Sequence, residues 1–578
     1  MKSVSRREFI KATAGSAALV AGLALSSCVP PVGNLVPEKR PNIILIMADD
    51  MGFSDIGCYG SEIQTPVLDK LASDGVKFTQ FYNAARCCPS RASLLTGLYP
   101  HQTGVGHMTR DYEKPAYTGD LNNSCVTIAE ALGSSGYQTM MSGKWHVTKQ
   151  TGHWDGSEYT SKAQWPLQRG FQKFYGFIHG SSSYFDPVLT RDNEPFDSIP
   201  DDIYLTNAIS ENAVSYISEA ARADEPYFMY VSYNAPHWPL HALTEDIEKY
   251  RGRYSGGWDE LRNERYKKQV ELGLVDEKWG LSPRDPEVEN WDDVDNKEWQ
   301  ERRMEVYAAM IDRMDQGIGK IIDQVKASGE EDNTLIMFLA DNGGSPETIK
   351  NPRKFYVPRE TSDGRFVNRG TNPEIMPGAD DTFQSYGIGW ANASNSPFRL
   401  FKRWVHEGGI ASPFIMKWPK TVKNYGGMVN GTGHVMDIMA TCLDASGATY
   451  PQQFNGNEIS ALEGKSLLPM VKGEDGEVHD FICWEHEGNR AIKQGKWKLT
   501  SYYTEPRQSK VSKGGRTGKW ELYDLEADRT ELHDLAERYP EKVTELVDKF
   551  DKWSTRMEVI SWEEIQEINS ILLSKENK

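Results

Sequence analysis

Three nearly continuous apolar runs along the chain predict buried strands. They span residues 42–48, 227–233 and 334–340. Runs without polar alternation are typical of strands that are covered on both faces, as in a parallel sheet. Segments with helical spacing lie between the runs, among them residues 207–222 and 301–326. Strands that alternate with helices predict an α/β fold with a doubly wound sheet.

The remaining segments have weaker patterns. Residues 240–300 are rich in charge and Trp, and we interpret them as a long, partly helical excursion between core elements. Residues 345–400 are rich in Pro, Gly, Asn and Asp, which predicts loops.

Near residue 475 the pattern changes again. A hairpin over 490–499, a strand over 520–525 and a helix over 540–557 are indicated. Strands followed by a helix predict a small α+β domain at the C-terminus. We therefore expect a main domain over residues 41–470 and a C-terminal subdomain over 471–578.

Polar residues follow each of the three apolar runs. Asp49 and Asp50 come after the first, His237 follows the second, and Asp341 and Asn342 come after the third. In doubly wound sheets, ligands bind at the carboxyl ends of the strands. A single acidic or amide pair is weak support, because Asp and Asn are common in turns. Two pairs that each end a buried strand predict one active site at this edge of the sheet.

The N-terminal segment is expected to be an export signal over residues 1–28. Residues 5–11 resemble a twin-arginine signal, and an apolar run of small residues follows over 12–25. That run is shorter than the ~20 apolar residues of a membrane-spanning helix. Residues 25–28 resemble a lipoprotein cleavage box, in which Cys28 would carry the lipid; ordinary signal-peptidase cleavage is the alternative.

This reading predicts an exported protein of the periplasm or cell surface that is anchored to a bacterial membrane by lipid. A linker over residues 29–40 would then tether the folded part.

The composition excludes some partners. The chain has 578 residues, 38% of them hydrophobic, and a formal net charge of -18. An acidic protein has no general attraction for nucleic acid, so we discount that partner. The same charge would repel an acidic polysaccharide, so such a substrate would need a local cationic pocket.

The cysteines do not form a recognisable framework. There are seven, and setting aside Cys28 and Cys87 leaves five that are scattered along the chain. An odd, scattered set without a CxxC pair indicates neither a disulfide scaffold nor a zinc site. We therefore expect mostly small buried thiols and no Cys/His cluster that is suited to a metal.

The strongest motif is the segment C-C-P-S-R-A-S-L-L-T-G over residues 87–97. Pro89 fits the first turn of a helix, which would place Cys87 at the helix N-terminus. Backbone N–H groups and the helix dipole favour an anion at that point. Arg91 lies one turn further on and can reach the same position.

This segment resembles the sulfatase signature C-x-P-x-R-x-x-x-L-T-G, whose first cysteine is oxidised to formylglycine. The resemblance extends from Pro41 to about residue 555 and points to the bacterial arylsulfatase-like branch. It implies an alkaline-phosphatase-like fold, with a doubly wound mixed sheet flanked by helices and a smaller α+β C-terminal domain. It also implies a Ca²⁺ site, whose oxygen ligands suit a hard cation. Its five contributors would be Asp49, Asp50, the modified Cys87, Asp341 and Asn342.

Three further elements match the family. Residues 143–146 resemble its G-K-W-H element, residues 234–237 its second histidine element, and residues 397–402 with 407–409 its second lysine element. The bulky Leu400 and Phe401 depart from the smaller residues that the family more often has near that lysine. The implied catalytic set is Cys87, Arg91, Lys144, His146, His237 and Lys402.

The resemblance assigns each of these residues a role. Arg91 and Ca²⁺ would lower the cost of ionising the hydroxyl of the formylglycine hydrate. Lys144 and Lys402 would hold the sulfate oxygens. His237 would protonate the leaving oxygen, and His146 would bind the hydrate and assist expulsion of sulfate.

The expected activity is hydrolysis of a sulfuric ester. The substrate would be a sulfated carbohydrate, such as an algal polysaccharide like ulvan or a glycosaminoglycan, or an aryl sulfate. Alternatives are a phosphodiesterase or phosphonate hydrolase of the same superfamily and an inactive glycan-binding lipoprotein. A formylglycine-generating or anaerobic sulfatase-maturating enzyme is an implied partner. Trp238, Trp258 and Trp279 could stack on sugar rings, although burial in the core is the preferred interpretation.

Overall fold

The computed structural model describes residues 39–149, 161–196, 198–350, 359–474, 476–503 and 518–576. The predicted export signal, with Cys28, lies outside the described residues, as does most of the predicted linker. Residues Arg40–Lys578 form one compact unit. Within the described ranges, no helix is both long enough and apolar enough to cross a membrane.

The described strands fall into one large sheet and three small ones. In chain order they are β1 Asn42–Ala48, β2 Val76–Tyr82, β3 Gln138–Lys144, β4 Lys173–Phe177, β5 Thr190–Arg191, β6 Glu194–Pro195, β7 Tyr227–Ser232, β8 Thr334–Ala340, β9 Asn368–Arg369, β10 Thr382–Phe383, β11 Phe414–Lys417, β12 Gly427–His434, β13 Gln453–Phe454, β14 Asn457–Glu458, β15 Ile482–His486, β16 Asn489–Gln494, β17 Trp497–Ser501 and β18 Glu521–Asp524.

The α-helices connect and cover these strands. In chain order they are α1 Pro66–Asp74, α2 Cys87–Thr96, α3 Ile128–Ser134, α4 Leu205–Ala223, α5 Thr244–Glu248, α6 Gly257–Glu271, α7 Lys297–Ala327, α8 Ile388–Ser394, α9 Glu407–Ile410, α10 Asp437–Ser446, α11 Leu468–Val471, α12 Pro540–Arg556 and α13 Trp562–Glu576.

The large sheet has ten strands in the order β12-β2-β11-β8-β1-β7-β3-β4-β5-β6. Its centre, from β8 to β4, is parallel, whereas β11 runs antiparallel to both of its neighbours. This is the predicted doubly wound mixed sheet. Because all the central strands point the same way, their carboxyl ends meet at one edge.

Strand β1 shows why the apolar runs lack alternation. Ile44 and Ile46 join one hydrophobic core, and Ile43, Leu45 and Met47 join the core on the opposite face of the sheet. Alternate side chains of a strand point to opposite faces. Both faces are covered, so every position of this strand is buried and the sequence is apolar after Asn42.

The C-terminal part has its own antiparallel sheet, in the order β15-β16-β17-β18. Leu546, Phe550 and Trp553 of α12 join the same hydrophobic core as Ile492 and Leu499 of that sheet. The predicted hairpin, strand and helix are therefore confirmed as a small α+β assembly. The partly helical excursion is also confirmed, since α5 and α6 lie within residues 240–300.

A buried group of ion pairs joins the small sheet to helix α9. Lys498 of β17 contacts Glu407 of α9 at 2.9 Å and Glu531 at 2.8 Å. Arg529 contacts the second oxygen of Glu407, also at 2.9 Å. These side chains are almost completely buried, so each charge depends on its partners for solvation.

Candidate active site

The carboxyl ends of β1 and β8 bring four oxygen-bearing side chains together. The pairing of Ala48 with Ala340 makes Asp49 and Asp341 leave the sheet side by side. The backbone N–H of Asp50 donates to an oxygen of Asp341 at 3.1 Å, and the amide of Asn342 donates to Asp50 at 2.7 Å. All four side chains are buried. The two predicted pairs therefore form one cluster.

The backbone at this edge adopts conformations that L-residues rarely take. Asp50 has φ 62° and His146 has φ 58°, both in the left-handed region. Such residues cost on the order of 1–3 kcal/mol and concentrate at functional sites. Gly343 is required for a different reason, because a Cβ there would lie 2.1 Å from the carbonyl oxygen of Gly408.

The cluster has the donors that a hard cation needs. Among the described residues, Oδ1 of Asp49 and Oδ1 of Asn342 are buried and have no hydrogen-bond partner. Burial raises the pKa of Asp49 and of Asp341, because an isolated carboxylate is poorly solvated there. A divalent cation among these oxygens would give the two unpartnered oxygens a ligand and would stabilise the charged form of both carboxylates. Oxygen donors alone fit Ca²⁺ better than a softer metal.

Helix α2 presents Cys87 to the same edge. Cys87 is the first residue of the helix and only 2% of it is exposed. A hydrogen bond from the Cys88 thiol lowers the pKa of the Cys87 thiol well below its usual value, and His146 and Lys144 act in the same direction against the effect of burial. The predicted position at a helix N-terminus is therefore what the structure has.

Arg91 is held rigidly one turn along α2. Its Nε and Nη2 atoms donate to one oxygen of Asp341 at 3.1 and 2.8 Å. Its Nη1 atom donates to the hydroxyl of Ser232 and to the carbonyl oxygen of Lys144. The guanidinium thus links α2 to the ends of β3, β7 and β8.

Lys144 and His146 follow β3. Lys144 Nζ lies 2.6 Å from Oδ2 of Asp49, and both side chains are completely buried. His146 Nε2 lies 3.2 Å from Sγ of Cys88. Burial and the neighbouring charge of Lys144 lower the pKa of His146 to about 3, so the imidazole is neutral near pH 7.

His237 and Lys402 complete the set from two other segments. Nδ1 of His237 donates to the carbonyl oxygen of Trp238 at 2.7 Å, and its Nε2 lies 3.5 Å from Oδ2 of Asp50. Burial lowers the pKa of His237 to about 4. Lys402 Nζ lies 2.8 Å from Asp50. All six predicted catalytic residues therefore lie at one edge of the sheet, with the predicted metal ligands among them.

Comparison with known proteins decides the family. The profile of the Sulfatase family matches residues 41–448. The chain belongs to the sulfatase family. A second profile, N-sulphoglucosamine sulphohydrolase, C-terminal, matches residues 398–557 of this sulfatase and so includes all four strands of its small C-terminal sheet.

Individual relatives agree with that assignment. An uncharacterized sulfatase of Schizosaccharomyces pombe is 34% identical over 88% of this chain and 93% of its own length. An arylsulfatase of Klebsiella aerogenes is 32% identical over 75% of this chain and 91% of its own. The crystal structure of Ps i-CgsB in complex with k-i-k-neocarrahexaose matches with a TM-score of 0.62 at 25% identity, over 89% of this chain and 93% of the other. The alkaline-phosphatase-like fold class is thus confirmed, and the protein is a sulfatase enzyme.

Glu347 is a site residue of the sulfatase that the sequence did not reveal. One of its oxygens accepts from Arg86 at 3.2 Å, and the other accepts from the indole of Trp238 at 2.8 Å and lies 3.7 Å from Lys402 Nζ. Burial alone would raise its pKa, but Lys402 and Arg86 outweigh that effect and lower the pKa to about 2. Its loop position, among many polar residues, gave no periodic signal.

A cavity of about 580 Å³ adjoins the sulfatase site through Glu347 and Arg403. Arg403 follows Lys402, and its side chain pairs with Glu487 of the C-terminal part. Five aromatic side chains contribute to the walls of the cavity. They are Phe401, Trp404, Tyr502, Tyr503 and Trp562.

The three tryptophans singled out from the sequence have different surroundings. Trp258 is buried against Trp291 and Trp390, and Trp279 donates from its indole to the carbonyl oxygen of Glu526. Trp238 instead lies beside His237, with ring centres 4.5 Å apart. The preferred interpretation as core holds for Trp258, whereas Trp238 belongs to the site.

One expectation about the cysteines is wrong. The sequence showed no Cys/His cluster, yet the ligand atoms of Cys87, Cys88 and His146 lie within 4.8 Å of one another. Cys87 and His146 are 59 positions apart and belong to different motifs, so their spacing in the sequence gave no signal of a shared cluster. None of the six described cysteines is paired in a disulfide.

Proposed function

We propose that this sulfatase hydrolyses a monosulfate ester of a sugar or a phenol, with residue 87 in its formylglycine form as nucleophile. The observation that supports this most is the place of Cys87. It begins α2 within reach of His146, at the edge where Asp49, Asp50 and Asp341 leave the sheet.

The proposed reaction needs two groups that the unmodified chain lacks, which are Ca²⁺ and the formylglycine form of residue 87. Asp49, Asp50, Asp341 and Asn342 would hold Ca²⁺ together with an oxygen of the modified residue 87, and the ion would supply positive charge beside the nucleophile. As an aldehyde hydrate, residue 87 would supply a hydroxyl that attacks sulfur and a carbon that can later return to a carbonyl.

The lysines of the site would bind the sulfate group. Lys144 and Lys402 end on different segments, and each ammonium lies within 3 Å of a carboxylate of the cluster. A sulfate group between them would receive hydrogen bonds from both sides. Such buried, fixed donors stabilise the charge that builds up on the sulfate oxygens.

The histidines would move the protons. Because Nδ1 of His237 donates to a backbone carbonyl, Nε2 is the atom that can carry a proton to the leaving oxygen. The sulfate ester brings a negative charge next to this ring, which favours the protonated form. His146 would act at residue 87, because the ligand atoms of His146 and Cys87 lie within 4.8 Å of each other.

The cavity supports an organic leaving group with a ring. Its aromatic walls suit a sugar or an aryl group, both of which stack on such side chains. The names of relatives point the same way, since they include an arylsulfatase and an N-acetylglucosamine-6-O-sulfatase. On the sequence of residues 1–28, we also propose that the sulfatase is exported and lipid-anchored at Cys28.

The proposal is tested on protein made with and without a sulfatase-maturating enzyme. Mass spectrometry of the peptide that contains residue 87 should show formylglycine only in the first preparation. Only that preparation should hydrolyse 4-nitrophenyl sulfate, and it should prefer this ester to the matching phosphate esters. Full activity with an intact thiol, or a preference for phosphate, would contradict the proposal.

A further inference from the structure

We propose that the chain with an unmodified Cys87 carries a binding site for one thiophilic divalent metal ion, Zn²⁺ or Cd²⁺, formed by Cys87, Cys88 and His146. The site shares residue 87 with the oxygen site assigned to Ca²⁺ but takes its other ligands from Cys88 and His146. It goes beyond the sulfatase reaction, because it exists only before residue 87 is oxidised.

The geometry of the three ligand atoms fits a tetrahedral ion. The two sulfurs and a ring nitrogen of His146 lie within 4.8 Å of one another, and Cys88 Sγ is 3.2 Å from His146 Nε2. Around Zn²⁺, with Zn–S of about 2.3 Å and Zn–N of about 2.0 Å, neighbouring ligand atoms lie roughly 3.5–3.8 Å apart. Small side-chain rotations therefore suffice to bind the ion, and water can be the fourth ligand.

The backbone already holds the ligands in place. Cys87 and Cys88 are the first two residues of α2, and His146 follows β3. All three side chains are buried, so little conformational freedom remains to be lost when they bind an ion. Three protein ligands and one open position are the arrangement of many zinc sites.

The charges balance on binding. Two thiols each release a proton to solvent as their sulfurs bond to the metal, and His146 binds through its neutral ring. Two thiolates and one divalent ion have no net charge, which matters because Lys144 and Lys402 lie nearby. A cation held by neutral ligands alone would be repelled by those ammonium groups.

The two metal sites of the same edge differ in chemistry. Carboxylate and amide oxygens favour Ca²⁺, whereas thiolates favour Zn²⁺ and Cd²⁺. Oxidation of Cys87 removes one sulfur from the second site and leaves the oxygen ligands in place. The unmodified chain is therefore a metal-binding protein, and its thiophilic metal content reports the fraction that has not been oxidised.

The experiment uses full-length protein from a host without a maturating enzyme, with the Cys87 thiol verified by mass spectrometry. Excess Ca²⁺ is kept present so that it competes for the carboxylate and amide oxygens, and Cd²⁺ is titrated in. A thiolate-to-metal charge-transfer band should grow and saturate at one ion per chain. The fully oxidised protein should show no such band.

Matched variants locate the site. Cys88→Ser should weaken Cd²⁺ binding by at least about tenfold, because even outer partners of metal ligands are typically worth roughly 10–100-fold in affinity. Cys58→Ser, at a partly exposed cysteine outside the cluster, should leave the titration unchanged. His146→Ala gives a second test, and circular dichroism verifies that each variant is folded. An absent band, unchanged affinity in both Cys88→Ser and His146→Ala, or equal binding by oxidised protein would overturn the proposal.

Discussion

Replacement of His237 by Ala tests the proposed acid directly. Nδ1 of His237 donates to the carbonyl oxygen of Trp238 at 2.7 Å, so only Nε2 faces the reaction, 3.5 Å from Asp50. The hydroxyl of Tyr184 donates to the backbone carbonyl of His237 at 2.9 Å. The backbone position thus has a support that does not depend on the imidazole, and His237→Ala should remove the proton donor without unfolding the segment.

The expected loss of kcat/KM in His237→Ala depends on the leaving group of the substrate. General acid catalysis contributes about 10²–10⁴-fold, which corresponds to roughly 2.7–5.5 kcal/mol in the barrier. A sugar alcohol leaves badly as an alkoxide and needs the whole of this contribution. A nitrophenol leaves well without a proton, so kcat/KM for its sulfate ester should fall clearly less.

The assay compares kcat/KM for a sulfated sugar and for 4-nitrophenyl sulfate, with metal content measured in each protein. His241→Ala is a matched control, because both ring nitrogens of His241 are used in structural hydrogen bonds to Thr382 and Tyr184. Its effect should not depend on the leaving group. Equal losses on both substrates in His237→Ala would refute the assignment and make His146 the next candidate.

Two further predictions concern the metal and the buried ion pairs. A chelator should lower the activity of the oxidised protein at least about 10²-fold, and added Ca²⁺ should restore it. Elemental analysis should find one Ca²⁺ per chain. Activity that depends on zinc would contradict the oxygen site. Lys498→Met leaves Glu407 and Glu531 without their shared cation and should cost about 3–5 kcal/mol in the free energy of unfolding, measured with denaturant. Lys496→Met removes a surface pair with Asp524 and a contact of the ammonium over the Trp497 ring at 5.0 Å, and it should cost about 1 kcal/mol or less. Equal losses of unfolding free energy in the two variants would argue against the buried pairs.

Much of the fold could be predicted because its central strands are buried on both faces. The run over residues 42–48 coincides with β1, and the run over 334–340 coincides with β8. Burial on two faces disfavours polar residues within a strand, so the apolar run in the sequence marks most of the strand. The predicted limits of the helices are less accurate. The segment 207–222 falls within α4, Leu205–Ala223, and the segment 301–326 falls within α7, Lys297–Ala327.

The sequence predicted the site residues that follow an apolar strand or belong to a motif, and it did not predict the others. Asp49 and Asp341 each follow an apolar run, and Cys87 begins a long motif. Glu347 lies in a loop and meets Arg86 from 261 positions away, with no local pattern to mark either residue. Glu487 reaches Arg86 from 401 positions away. Such contacts depend on how loops that are distant in the sequence pack together, which periodicity does not report.

The charges of the site explain why an acidic protein can bind an anion there. Three side-chain cations face three carboxylates at contact distance, and the pairs are Arg91–Asp341, Lys144–Asp49 and Lys402–Asp50. These charges cancel, and the chain as a whole carries -18, so the side chains alone offer a sulfate ester no net attraction. At the proposed Ca²⁺ site, the ion would add two positive charges in a buried place, where screening by salt is weak. The metal would then supply most of the attraction for the substrate, and its removal should weaken substrate binding as well as catalysis.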